Sequence, residues 1–225
     1  MQKQATSYLI DSAQFLRANL NPLLLLALMG LILSFPSSSK ELGFSLFLPI
    51  FIVMIFYPLV YGRYSEIIQG NPNISYHQIF NKHWFNFFIV NLIVGGPVLI
   101  ISFIGSVIGE STMALKTLLW AVTDIMTIYI IPLVFLLNRK ISSVSLGIKC
   151  LLGNLRYSIP LMVLVLFPLL LNLIMRNPYL TSNQPATAFL GNYLFWILNL
   201  LFDFTIFIAA TLILKEKLSI TEGNT

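Results

Sequence analysis

Polar positions in this chain fall in short clusters that separate long apolar runs. The runs are Leu20 to Phe35, Phe44 to about Tyr61, Phe85 to Ile108, Leu115 to Leu137, Ile159 to Ile174 and Phe189 to Leu214. Four of them approach or exceed the roughly 20 apolar residues a helix needs to cross a bilayer core. The first and fifth, about 16 residues or about 24 Å long, are expected to draw on their preceding helices or to sit in a thinned bilayer. Three of the intervening clusters alternate at helical spacing. Ser7 to Asn19 places Leu9, Ala13, Leu16 and Leu20 on one face. Tyr76 to about Asn86 is opened by Ser75 and Gln78, whose S-x-x-Q spacing is a capping box. In the third, Val144, Ile148, Leu151, Leu152 and Leu155 oppose Ser145, Lys149 and Arg156. Such segments predict helices lying on a membrane surface.

The pattern therefore predicts an all-α integral membrane protein. About six transmembrane helices form three helical hairpins, each preceded by a short cytoplasmic amphipathic surface helix. The order surface helix, outgoing span, loop, returning span recurs about every 70 residues, a period worth testing for internal repeats. We expect one transmembrane domain over 1–225, with a threefold repeat at 5–62, 74–138 and 141–215. Residue traces agree with it: YPLVYGR at 57–63 parallels IPLVFLLNR at 131–139, and DIMTIYI at 124–130 parallels DFTIFI at 203–208.

Composition narrows the class. Of 225 residues, 57% are hydrophobic and 9% charged, with a mean hydropathy of +0.87, whereas about a quarter of a soluble domain is charged. The first run precedes Ser37 to Ser39 but no A-x-A cleavage pattern, so it is expected to stay as a span. The net charge of +5 is distributed unevenly. Lys3, Arg17, Arg63, Lys82, Arg139, Lys140, Lys149, Arg156, Lys215 and Lys217 fall on the side shared by both termini, against Lys40, Lys116 and Arg176 on the other. By the positive-inside rule this predicts the inner (cytoplasmic) membrane with both termini cytoplasmic. The lipid bilayer is the expected partner, and no basic run is dense enough for nucleic acid. Trp84, Arg139, Lys140, Lys149 and Arg156 are expected as membrane-surface anchors, with Tyr57, Tyr61 and Tyr64 at headgroup level beside Arg63.

Chemistry can only come from the few polar groups at membrane depth. Asp124 and Asp203 lie inside apolar runs, where an acid is costly and therefore a functional candidate. Asn199 shares a helix face with Asp203, and Asn91 and Asn172 could meet them to form a polar centre. Gly95, Gly96 and Pro97 predict a kink or break inside the third span, of the kind that frames binding sites in transporters. His77 and His83 are six residues apart, about 120° around a helix, so no metal site is expected, and both are read as interfacial residues. No cofactor is implied, and H-E-x-x-H, G-x-S-x-G and Walker motifs are absent. The lone Cys150 reads as a small apolar side chain.

These features lead first to a non-enzymatic accessory or scaffold subunit that works with other membrane protein subunits. The alternative is a small transporter or lipid-handling protein centred on Asp124 and Asp203.

The stretch IPLVFLLNRK…GIKCLLGNLRYSIPL within Ile131 to Ile174 resembles a broad group of bacterial multi-pass membrane proteins. It also resembles the membrane-embedded domain attached to some glycerophosphodiester phosphodiesterases. The resemblance implies a helical membrane fold. It implies no activity, because the soluble catalytic domain of those enzymes has no counterpart here, and it transfers no residue role.

Overall fold

In the computed structural model, residues 4–34, 44–108, 113–138, 140–175 and 185–222 are described. Within them, the side chains of 32–34, 44–53, 102–108, 113, 114, 116, 169, 171–175, 185–188 and 217–222 are not. The described residues form eight helices and no strand: α1 Ala5–Ala18, α2 Asn21–Ser34, α3 Phe44–Gln69, α4 Tyr76–Ile108, α5 Met113–Leu137, α6 Ser142–Gly153, α7 Leu155–Met175 and α8 Pro185–Glu222. A helix satisfies all its backbone groups internally, the condition hydrocarbon imposes on a spanning segment. Three stretches, Tyr76–Ile101, Thr117–Leu137 and Phe189–Glu216, are long and apolar enough to cross a membrane. The count rises to five if each of two bent helix pairs is one span. This is the build of a membrane protein.

Helices α3, α5 and α8 pack on one another in the centre. Around them, α2 lies against α3 and α8, α4 against α3 and α5, and α7 against α5 and α8. Large side chains of the inner helices, among them Tyr64, Tyr129, Phe135 and Phe204, are fully buried. Large apolar residues face outward on the others, such as Leu28, Ile100 and Val163. Outward apolar side chains are what lipid contact requires.

The short helices are wedged against the inner layer: α1 packs on α8, the start of α4 on α3, and α6 on α5. Their buried stripes run at i, i+4, i+8, as Tyr8, Ser12, Leu16 in α1 and Ser143, Gly147, Leu151 in α6. Small residues at the centre of a stripe let helices approach closely. A Cβ on Gly147 would sit 2.9 Å from the Ile130 backbone.

The face expected for α6 is therefore rotated. Leu152 is 62% exposed and Leu155 is also exposed, because close packing on α5 selects the small-residue stripe. Arg156 does not belong to α6 at all: the helix stops at Asn154, and α7 leaves at 105°. A similar corner of 79° separates α1 from α2 after Asn19. At both corners an asparagine side chain caps the carbonyl four residues back, Asn19 Nδ2 to Phe15 O at 2.9 Å and Asn154 Nδ2 to Cys150 O at 2.9 Å. Ser158 closes the second corner, donating to the carbonyls of Leu151 and Asn154.

The middle segment departs from expectation. The Ser75–Gln78 capping box forms, with Ser75 N to Gln78 Oε1 at 3.1 Å and Gln78 N to Ser75 Oγ at 3.3 Å. The surface helix it opens does not stop, however; α4 is continuous from Tyr76 to Ile108, so no separate surface helix precedes this span. Asn91 makes the same bond as the corner asparagines, Nδ2 to Phe87 O at 3.0 Å, but it sits within FFIVNLIV, where neighbouring polar groups to cover an opened backbone are missing. Helix also persists through Gly95, Gly96 and Pro97, so the break expected there is not present. Proline removes a single backbone hydrogen bond, and the apolar surroundings penalise freeing more.

Trp84 was expected to anchor at the surface. Its Nε1 instead donates to Met54 O on α3 at 2.8 Å. Met54 O lacks a helical donor because the residue four positions on is Pro58. Lys140 lies 4.7 Å from the centre of the Phe85 ring, Lys149 and Arg156 are exposed, and Arg139 lies outside the described residues.

Candidate functional site: an acid-lined cavity

A cavity of about 440 Å³ lies among α3, α4, α5, α7 and α8. Asp124 on α5 and Asp203 on α8 both line it. The two carboxylates come from segments about 80 residues apart, yet they are near enough for their charges to interact. Each side chain is open to the cavity, and neither has a hydrogen bond or ion pair among the described residues. Among the described residues no Lys, Arg or His lines the space. Two uncompensated acids opening into one cavity among apolar helices create a demand for positive charge.

Asn91 and Asn199 of the expected polar centre line the same cavity, as do Thr123, Thr127 and Gly95. The Asn172 side chain lies outside the described residues. Along α8, Trp196, Asn199 and Asp203 present one face inward, as their i, i+3, i+7 spacing requires. Trp196 is seated against Gly30 of α2, where an added Cβ would collide with the indole.

The tyrosines expected at headgroup level are turned inward. Tyr64 is fully buried, and Tyr57 and Tyr61 form part of the cavity wall. Their spacing of four and three residues marks one helix face, the sequence clue that all three share an environment. Tyr61 fills the centre of an aromatic layer, its ring 4.5 Å from that of Phe207, 4.6 Å from Phe204 and 5.9 Å from Phe135.

Beyond that layer lies an ionic cluster that sequence reading did not single out. Glu66, in the last turn of α3 past its apolar part, is buried and receives Lys82 Nζ at 2.6 Å. The same carboxylate oxygen lies 3.3 Å from His83 Nε2, and Asn71 donates to the other oxygen at 3.3 Å. His83 is itself fully buried and 5.0 Å from the Phe135 ring, not interfacial as expected. Burial opposes the charge on Glu66, but the bonds from Lys82, His83 and Asn71 hold its carboxyl below the usual glutamate value. Among the described residues no group of three or more His, Cys, Asp or Glu is placed to hold a metal ion.

Fold and site together define a helical membrane protein with a half-open, acid-lined, aromatic-walled cavity between its helices. No family model, curated protein or solved structure matches the chain. Roles for its residues therefore rest on their own geometry.

Proposed function

We propose that this is a small ligand-binding membrane protein of the transporter or lipid-handling kind, with its binding centre in the cavity around Asp124 and Asp203. One observation carries the reading: two partnerless carboxylates from distant segments open into a single space. A scaffold subunit needs its helices held together by satisfied polar contacts, for which dry, paired acids would serve better. The cavity volume of about 440 Å³ falls within the range of small-molecule sites, about 300–1,000 Å³. The Tyr61 layer supports a closed end to the site, with the Glu66 cluster behind it.

We further propose six spans in three hairpins, built as a threefold repeat, in the inner (cytoplasmic) membrane with both termini cytoplasmic. The ten-to-three excess of basic residues supports the orientation. The repeat is supported by the asparagines Asn19, Asn91 and Asn154, each bonding the carbonyl four residues back and each followed by an outward-facing leucine, Leu20, Leu92 and Leu155. Cyclic packing supports it too, since each short helical segment rests on the returning helix of the preceding unit, and α1 rests on that of the last.

Cysteine labelling in lipid tests the ligand-binding reading. In a Cys150→Ala background, Thr127→Cys and Asn199→Cys should react with a water-soluble methanethiosulfonate cation, and Ile100→Cys on the outer face should not. Cavity positions as inert as Ile100→Cys would mean a dry contact and return the scaffold reading.

A further inference from the structure

We infer that the cavity takes an organic cation, a protonated amine carried on an apolar, ring-bearing body. This rests on the ligand-binding reading above and names its substrate class. The first argument is the balance of donors and acceptors in the wall. Four wall donors are already engaged within the protein: Thr123 Oγ1 bonds Leu119 O at 2.9 Å, Thr127 Oγ1 bonds Asp124 O at 2.9 Å, Asn91 Nδ2 bonds Phe87 O at 3.0 Å, and Trp196 Nε1 bonds Leu26 O at 3.4 Å.

The donors that remain, the hydroxyls of Tyr57 and Tyr61, the Trp120 indole N–H and the Asn199 amide, carry no charge, whereas the unpaired acceptors include both carboxylates. Neither carboxylate is partnered among the described residues, and Asn199 Oδ1 is fully buried without a hydrogen bond. Two backbone carbonyls join them. Pro132 and Pro168 supply no N–H, so the carbonyls of Ile128 and Leu164 lose their helical partners, and all four residues belong to the wall. A wall whose only charge is negative and unpaired selects a ligand that brings positive charge and N–H donors.

The second argument is independent of the acids. Rings of Tyr57, Tyr61, Phe87, Trp120, Phe195 and Phe207 line the space. Aromatic faces attract cations and bury apolar bodies. A bare proton would neutralise an acid but leave the rings and the volume without a role. A hard metal ion requires about six to eight oxygen ligands at short range, and a volume of about 440 Å³ is far too large to enforce that shell.

Calorimetry on the full chain in lipid nanodiscs, corrected with empty discs, tests the inference with 4-phenylbutylamine, 4-phenylbutanol and 4-phenylbutyrate. The amine should bind at least about tenfold more tightly than the alcohol, and the carboxylate most weakly, since a charge-assisted hydrogen bond contributes about that factor or more. Asp124→Asn and Asp203→Asn should each weaken the amine about tenfold while leaving alcohol binding in place, which also shows that the variants are folded. Gly95→Leu should abolish amine binding by filling the cavity, because a Cβ at Gly95 meets nothing within 4 Å. Alcohol binding equal to that of the amine, or amine binding insensitive to both aspartates, overturns the cation inference. If Gly95→Leu still blocks the alcohol in that case, the ligand-binding reading stands. Failure of every probe to bind, or binding untouched by Gly95→Leu, overturns both.

Discussion

Removing the indole N–H of Trp84 should destabilise the protein through a proline on another helix. In α3, Pro58 leaves Met54 O without its helical donor, and Trp84 of α4 supplies one at 2.8 Å. Trp84→Phe deletes that donor. A buried acceptor left unsatisfied costs about 1–3 kcal/mol, but interhelical hydrogen bonds in membranes average only about 0.6 kcal/mol with a ceiling near 1.7. A cost of about 1 kcal/mol is therefore expected from the bond itself. The ring stacks of Trp84 on Phe80 and Phe88, at 5.3 and 5.6 Å, add a packing loss that phenylalanine only partly restores. Pro58→Ala separates the two effects, since alanine returns the missing N–H to Met54 O and keeps the stacks. Unfolding of the four proteins of the cycle, followed by circular dichroism in mixed detergent micelles, should show Trp84→Phe costing about 1 kcal/mol less in the Pro58→Ala background. An equal cost in both backgrounds, to within about 0.5 kcal/mol, would refute the proline-rescue argument and leave only packing.

Other perturbations probe the rest of the framework. Because contacts hold the Glu66 carboxyl below the ordinary value of 4.5, its stabilisation is complete above that pH and is lost as pH falls through the lower folded value. The melting temperature should drop on acidification below 4.5, with a flatter profile in Glu66→Gln; equal profiles would dismiss the cluster as a stabilising element. Gly147→Ala should lower stability by about 1–3 kcal/mol by driving a methyl into Ile130 of α5, a loss readable by thermal unfolding. If the repeat closes cyclically, a circular permutant that joins the natural ends and opens between Gly70 and Ser75 should still fold to a monodisperse particle. Aggregation of that permutant, with the same linker tolerated elsewhere, would count against cyclic closure.

The helical character of the chain and its membrane-spanning stretches were plain from apolar run length, because a span is a one-dimensional property. The place of Asp124 and Asp203 within apolar runs was equally plain, and both line one cavity. Helix phase was less legible. For α6 the apolar pattern pointed to Val144, Ile148, Leu151, Leu152 and Leu155. Leu151 is buried and Val144 and Ile148 pack on the core, but Leu152 and Leu155 face outward, and close packing on α5 brings Ser143 and Gly147 into the buried stripe. In lipid an apolar residue gains little by facing inward, so hydrophobicity stops marking the core and small size takes over. Corners were ambiguous for a related reason. Asn19, Asn91 and Asn154 make the same local bond, and only the polar groups around the first and third turn that bond into a bend. Glu66, Lys82 and His83 belong to two helices, as do Pro58 and Trp84, and pairings of this kind have no local trace.

The docking of α1 on α8 sets an order of events during synthesis. The Tyr8, Ser12, Leu16 stripe rests on α8, far along the chain, with the Tyr8 hydroxyl 2.6 Å from Glu216 Oε2. Until α8 leaves the ribosome, α1 has only its smaller contact with α7, including the Tyr8–Tyr157 ring pair, and most of its seat is missing. A nascent chain stalled before α8 would thus display on α1 a surface that α8 otherwise covers, a tag of incompleteness open to quality-control proteases.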